Sequence, residues 1–138
     1  MGMYTELIFG AELKKDTPKE VIDIIQYMVG GDFEEDKELK IPEHNFFKTS
    51  RWRMLFTCSS YYFGVNESLK KMWYDEISNT WRISTRSNIK NYDSEIEEFL
   101  EWIKPYIEDG SGDRGFYAIV CYEEQEEPRI YYLSEDSQ

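Results

Sequence analysis

Two adjacent carboxylates in the middle of the chain are the best placed of its residues for acid–base chemistry. Asp75 and Glu76 follow two aromatic residues, and aromatic neighbours can exclude water from a carboxyl group and shift its pKa, as general acids and bases require. One alternative function is therefore an enzyme with a carboxylate site near Asp75 and Glu76. Cross-strand pairing with Arg82 or Arg86 explains the same two residues more simply, so we assign no catalytic residue.

Other reactive side chains are few, and their scarcity excludes several classes of chemistry. His44 is the only histidine, which excludes a two-histidine metal site and leaves one candidate partner for a nucleophile. Residues 110–115 have the letters G-x-G-x-x-G, but they follow a helical pattern and open a strand, the reverse of a dinucleotide-binding turn. No loop has the spacing of an EF-hand. We expect neither a metal nor a cofactor.

Glutamate is abundant in two regions of the second half of the chain. Glutamates recur at near-helical spacing through residues 95–101, and four more stand within residues 123–127. Carboxylates spaced along a rigid scaffold can replace phosphates in the Arg- and Lys-lined groove of a nucleic-acid-binding protein. A nearby exposed tyrosine would anchor such a partner. The predicted partner-binding residues are Glu95, Glu98, Glu101, Tyr106, Glu123, Glu124, Glu126 and Glu127.

These residues predict a non-enzymatic acidic protein that binds a basic protein and inhibits it by imitating nucleic acid. By analogy of size and charge alone, phage proteins that block host defence nucleases are inhibitors of this kind. A homodimer is also compatible, because the basic stretch of one copy can meet the acidic helix of another. The competing interpretation is that the acidity only keeps the protein in solution.

The middle of the chain carries the opposite charge. Residues 48–90 contain 8 Lys or Arg against 3 Asp or Glu, whereas residues 1–47 contain 5 against 11 and residues 91–138 contain 3 against 14. Basic side chains interleaved with aromatic rings can follow a phosphate backbone and stack on bases. The second alternative is therefore nucleic-acid or nucleotide binding through this segment, with Arg51, Arg53, Arg82 and Arg86 as candidates. The net charge of −12 counts against it.

Local patterns predict the elements that position these side chains. Thr17, Pro18 and Glu20 indicate the start of a helix over residues 18–29, which two glycines end. Ser94 and Glu97 repeat the same capping pattern at the start of a second helix that Pro105 ends or kinks. Strand-like patterns cover residues 3–13, 52–59, 71–77, 81–86, 116–122 and 129–133.

The predicted order is β-α-β-β-β-α-β-β, which indicates an α+β two-layer sandwich. Its antiparallel or mixed sheet has about five to six strands with two helices on one face, and a ferredoxin-like arrangement fits this order. The length of 138 residues predicts a single domain over 1–138 with a frayed tail at 134–138. No apolar segment is long enough to span a bilayer and no signal-peptide pattern is present, which predicts a cytoplasmic protein without membrane contact.

Overall fold

Strands and α-helices follow one another along the described chain in the order β-α-β-β-α-β-β. The computed structural model describes residues 4–30, 39–59, 68–108 and 115–133. Two α-helices within these ranges are α1 (Lys19–Gly30) and α2 (Glu95–Ile103), and short 3-10 helices occupy Asn45–Lys48, Trp52–Met54 and Lys104–Tyr106. The described strands are β1 (Thr5–Glu12), β2 (Leu69–Asp75), β3 (Thr80–Ile89), β4 (Phe116–Tyr122) and β5 (Arg129–Tyr132).

These strands form an antiparallel sheet in the order β2-β3-β1-β4-β5. Because β3 lies between β1 and β2, and α1 stands in the connection from β1 to β2, the first four strands have the split β-α-β order of ferredoxin-like domains. β5 extends this arrangement by one edge strand. The prediction of an α+β two-layer sandwich is confirmed, with five strands in the described part of the chain.

The helices cover one face of the sheet, and the main core lies between the two layers. Alternation along β1 and β3 directs Leu7, Phe9 and Ile83 toward the helices, where all three are buried. The helical side chains that meet them recur at three-and-four spacing, as an amphipathic helix requires. They are Val21, Ile24, Ile25 and Met28 from α1, and Ile96, Phe99, Leu100 and Ile103 from α2.

The prediction of a strand over residues 52–59 is wrong. Trp52–Met54 form a 3-10 helix, and the carbonyl of Met54 then accepts hydrogen bonds from the amides of Thr57 and Cys58. Trp52 is buried in an aromatic cluster, with its ring centre 5.9 Å from that of Phe46. Packing of these two rings holds residues 52–59 in the helix layer. The alternation of apolar and polar residues suggested a strand because it carries no information about such long-range packing. Residues 61–64, predicted as the end of the same strand, lie outside the described residues.

Both helices begin where the sequence predicts, but neither uses the predicted cap. The hydroxyl of Thr17 donates to the carbonyl of Lys14 at 2.6 Å instead of accepting from the helix. Ser94 has a left-handed backbone with φ of 60°, and its side chain makes no capping hydrogen bond. Oδ1 of Asn91 accepts from the amide of Ile96 at 2.9 Å in its place.

The sheet face opposite the helices carries a row of ion pairs. Nε of Arg82 lies 2.9 Å from Asp75, and Nη2 of Arg82 lies 3.5 Å from Glu12. Nε of Arg86 lies 2.7 Å from Glu6. In the strand register, the two residues of each ion pair stand directly opposite or diagonally across from each other. Each pair therefore links two adjacent strands on this face. The predicted tail at 134–138 and residues 110–114 of the glycine-rich run lie outside the described residues.

Candidate partner-binding surface

Most of the predicted glutamates lie on the surface without a cationic partner. Glu101 on α2 is exposed, as are Glu124, Glu126 and Glu127 in the connection between β4 and β5. Within the described ranges, neither these four residues nor Glu98 forms an ion pair, because no Lys or Arg nitrogen lies within 4.0 Å of their carboxylate oxygens. We call the unpaired glutamates of α2 and of the β4–β5 connection the acidic side: Glu97, Glu98, Glu101, Glu124, Glu126 and Glu127.

Glu95 does not belong to this surface, contrary to the prediction. Its side chain is fully buried, and its carboxylate accepts hydrogen bonds from the amides of Arg51 (3.2 Å) and Asp93 (3.1 Å). The carboxylate thus joins the segment before the second 3-10 helix to the start of α2. Charge-assisted hydrogen bonds to two amides offset the cost of removing it from water.

Glu98 lies at the boundary between surface and core. One ring nitrogen of His44 and one carboxylate oxygen each of Glu98 and Glu101 lie within 4.8 Å of one another, as atoms that bind a metal ion would. Oε1 of Glu98 is buried and has no hydrogen-bond partner. Nδ1 of His44, however, accepts from the amide of Phe46 at 3.1 Å. This hydrogen bond leaves the proton of the neutral imidazole on Nε2, so neither ring nitrogen offers a metal a lone pair. In this cluster, His44 is therefore better suited to donate a hydrogen bond through Nε2 than to bind a metal ion.

Glu123 and Tyr106 have structural contacts that the sequence did not indicate. The amide of Tyr4 donates to the Glu123 carboxylate, and the amide of Glu123 donates to the carbonyl of Tyr4 at 3.1 Å. Tyr106 is only partly exposed, and its ring centre lies 6.2 Å from that of Trp102. Glu123 thus connects the end of β4 to the residue before β1 by two hydrogen bonds, and Tyr106 packs against α2.

A groove joins the first turn of α2 to the β4–β5 hairpin, and we call it the tyrosine groove. It has a volume of about 450 Å³. Glu97 lines it from α2, with Oε1 accepting from the side-chain amide of Asn91 at 2.7 Å. The predicted list omitted Glu97, although it stands one helical turn before Glu101. The remaining lining residues are Thr5, Tyr92, Val120, Tyr122, Gln125, Arg129 and Tyr131.

Tyr122 lines this groove, and the charges of two neighbouring glutamates act on its hydroxyl. Desolvation raises the pKa of the Tyr122 hydroxyl, and the negative charges of Glu124 and then Glu123 raise it further. A phenol surrounded in this way stays protonated, so it remains a hydrogen-bond donor across the neutral pH range.

The four candidate arginines for nucleic-acid binding do not form one surface. Arg82 and Arg86 lie on the outer sheet face, where their own carboxylate partners hold them. Arg51 and Arg53 lie in the helix layer, stacked over the rings of Tyr92 (5.5 Å) and of Trp52, respectively. The sheet separates the two pairs, so one nucleic-acid strand cannot contact all four on a single face.

Asp75 holds the turn between β2 and β3. Its carboxylate accepts from the amide of Ile77 at 2.9 Å and from Nε of Arg82 at 2.9 Å. These interactions, the Ile77 amide foremost, lower the pKa of Asp75. The neighbouring Glu76 is exposed. A carboxylate that stays ionised and bonded to its own turn is suited to holding the hairpin and poorly suited to proton transfer.

Comparisons with known proteins add no further assignment. Protein-family models, curated proteins and solved structures were each compared with the chain, and none of them matches it. The fold of the described residues defines the class, an α+β sandwich with a five-stranded sheet and the split β-α-β order. No helix in the described ranges combines the length and the apolar character needed to cross a bilayer.

Proposed function

We propose that this protein is a non-enzymatic binding protein whose acidic side engages a basic protein partner. One observation carries the proposal. The protein's own arginines at 82 and 86 pair with Glu6, Glu12 and Asp75 on the outer sheet face, while the glutamates of the acidic side have no ion-pair partner among the described residues. Charges left unpaired on a folded surface can attract a complementary partner at long range.

The geometry supports imitation of nucleic acid as the way in which this side works. Glu97 and Glu101 are one helical turn apart on α2, and the groove that Glu97 lines also contains Gln125 of the β4–β5 connection. This groove therefore brings one carboxylate of α2, that of Glu97, next to the connection that carries Glu124, Glu126 and Glu127. A DNA- or RNA-binding protein that reads mainly phosphates would accept carboxylates on both sides of such a groove in place of its nucleic acid.

A displacement assay with a defined probe tests this function. Core histones loaded with a fluorescent DNA duplex serve as the basic protein, and fluorescence anisotropy reports duplex released as the acidic protein is added. The test variant combines Glu124→Gln, Glu126→Gln and Glu127→Gln. The control variant combines Asp16→Asn, Glu20→Gln and Glu76→Gln, which removes the same charge from exposed positions outside the acidic side.

We expect the test variant to need about tenfold more protein for half-maximal release. The control variant should stay within about twofold of the parent protein, because screening weakens distant charges. Equal losses in both variants would show that net charge alone causes release, which contradicts a specific acidic side. No release by the parent protein at low salt would also contradict the proposal.

A further inference from the structure

The tyrosine groove combines three aromatic rings with carboxylates at its rim. Tyr92, Tyr122 and Tyr131 line it together with Glu97. Of the Glu97 carboxylate, Oε1 is engaged by Asn91, and the structure describes no hydrogen bond to Oε2. A groove of about 450 Å³ has room for one long side chain and its water. Flat rings beside a carboxylate are the surroundings in which proteins bind a guanidinium group.

The protein already uses this mode of contact on both sides of the groove. The guanidinium carbon of Arg129 lies 4.7 Å from the ring centre of Tyr131. That of Arg51 lies 5.5 Å from the ring centre of Tyr92. Among the described residues, no such cation is placed over the third ring, that of Tyr122.

The electrostatic balance of the groove favours a cation over an anion. Among the described residues, Glu97 lines the groove and the charges of Glu124 and Glu123 act on the hydroxyl of Tyr122 in it, against the guanidinium groups of Arg129 in the groove and Arg51 over Tyr92. Glu126 and Glu127 in the adjoining connection add more negative charge. A phosphate entering the groove would meet this excess, whereas a cation would be attracted by it.

We propose that the tyrosine groove receives an arginine side chain of the basic partner, stacked on Tyr122 and paired with the carboxylate of Glu97. This inference rests on the proposed function, since it names the anchor of that same partner. Arginine fits better than lysine, because its planar guanidinium stacks on a ring and still donates hydrogen bonds at its edge. The phenolic hydroxyl of Tyr122 is not needed for this contact.

Two peptides of equal length, one of arginine only and one of lysine only, serve as probes. Each carries a fluorophore, and anisotropy gives its Kd for the parent protein and for four variants. Tyr122→Leu removes the ring, Tyr122→Phe keeps it, and Glu97→Gln removes the paired charge. Tyr74→Leu removes an exposed tyrosine on β2, outside the groove, as the matched control. Thermal unfolding of each variant verifies that it folds.

We expect the parent protein to bind the arginine peptide about fivefold more tightly than the lysine peptide. Tyr122→Leu should abolish this preference, while Tyr122→Phe and Tyr74→Leu should keep it. Glu97→Gln should weaken binding of the arginine peptide by about fivefold. If Tyr122→Leu does not fold, the comparison of Glu97→Gln with the parent still decides the matter.

The outcomes separate this inference from the proposed function. Equal affinity for both peptides, or a preference that survives Tyr122→Leu and Glu97→Gln, overturns the arginine anchor. The acidic side would then still stand if the Glu124, Glu126 and Glu127 triple variant weakens binding of both peptides. Binding of neither peptide to the parent protein at low salt overturns the anchor and the acidic side together.

Discussion

The behaviour of single glutamates depends on what their carboxylates contact. Glu95 and Glu101 stand on the same short helix, yet Glu95 is fully buried and Glu101 is exposed. The Glu95 carboxylate receives the amides of Arg51 and Asp93, which have no other described acceptor. A carboxylate used in this way contributes to stability, whereas an exposed glutamate contributes charge to the surface.

We predict that Glu95→Ala lowers the free energy of unfolding by about 3 kcal/mol. The substitution leaves two partly buried amides without their acceptor and creates a cavity where α2 begins. Urea denaturation measures the change, and Glu126→Ala is the control, with an expected effect within about 0.5 kcal/mol. A loss for Glu95→Ala no larger than that of the control would contradict the structural role assigned to this carboxylate.

At the scale of elements, the two 3-10 helices between α1 and β2, Asn45–Lys48 and Trp52–Met54, are held in place by aromatic packing. Phe46 is fully buried, and the centre of its ring lies 5.4 Å from the ring centre of Phe99 and 5.8 Å from that of Trp102, both on α2. The neighbouring Phe47 also contacts Trp102, at 5.0 Å. Two short 3-10 helices are too brief to be stable alone, so their position depends on these rings.

We predict that Phe46→Ala destabilises the protein by about 4 kcal/mol, because it removes a ring from the centre of the cluster. Phe46→Leu, which retains most of the apolar volume, should cost about 1–2 kcal/mol. Urea denaturation gives both values, and near-ultraviolet circular dichroism reports the packing of Trp52 and Trp102. Unchanged dichroism together with a small loss in Phe46→Ala would mean that the ring does not hold this segment.

The whole molecule carries a net charge of −12, and the acidic side concentrates part of it. Like charges held close together repel one another in the folded state and relax when the chain unfolds. The repulsion within the acidic side therefore lowers the stability of the protein. Salt should reduce this cost, because the Debye length falls from about 30 Å at 10 mM to about 10 Å at 100 mM.

We predict that raising sodium chloride over this range increases Tm by roughly 3 °C. Differential scanning calorimetry measures it. The triple variant Glu124→Gln, Glu126→Gln and Glu127→Gln should start with a higher Tm at low salt and gain less from added salt. A Tm that falls with salt would show that attraction within the ion pairs of Arg82 and Arg86 outweighs the repulsion.

Much of the fold could be predicted from the residues alone, because the relevant signals are short-ranged. The strand-like pattern over residues 81–86 lies within β3, where Ile83 faces the core and Arg82 faces the opposite side, as the alternation of a strand requires. The bounds of α1 differ from the prediction by one residue at each end, and the α+β sandwich is confirmed. Periodicity and the Pro and Gly positions fix such features within a few residues of chain.

The candidate site was determined less by sequence than by tertiary structure. Glu95 and Glu97 are indistinguishable in a run of glutamates, and only the docking of the segment before Trp52 decides that one is buried and the other lines a groove. The tyrosine groove brings Tyr92 on one side of α2 together with Tyr122 and Tyr131 of the last hairpin. Local patterns determine elements because their hydrogen bonds are local, whereas burial and charge pairing depend on contacts between distant residues.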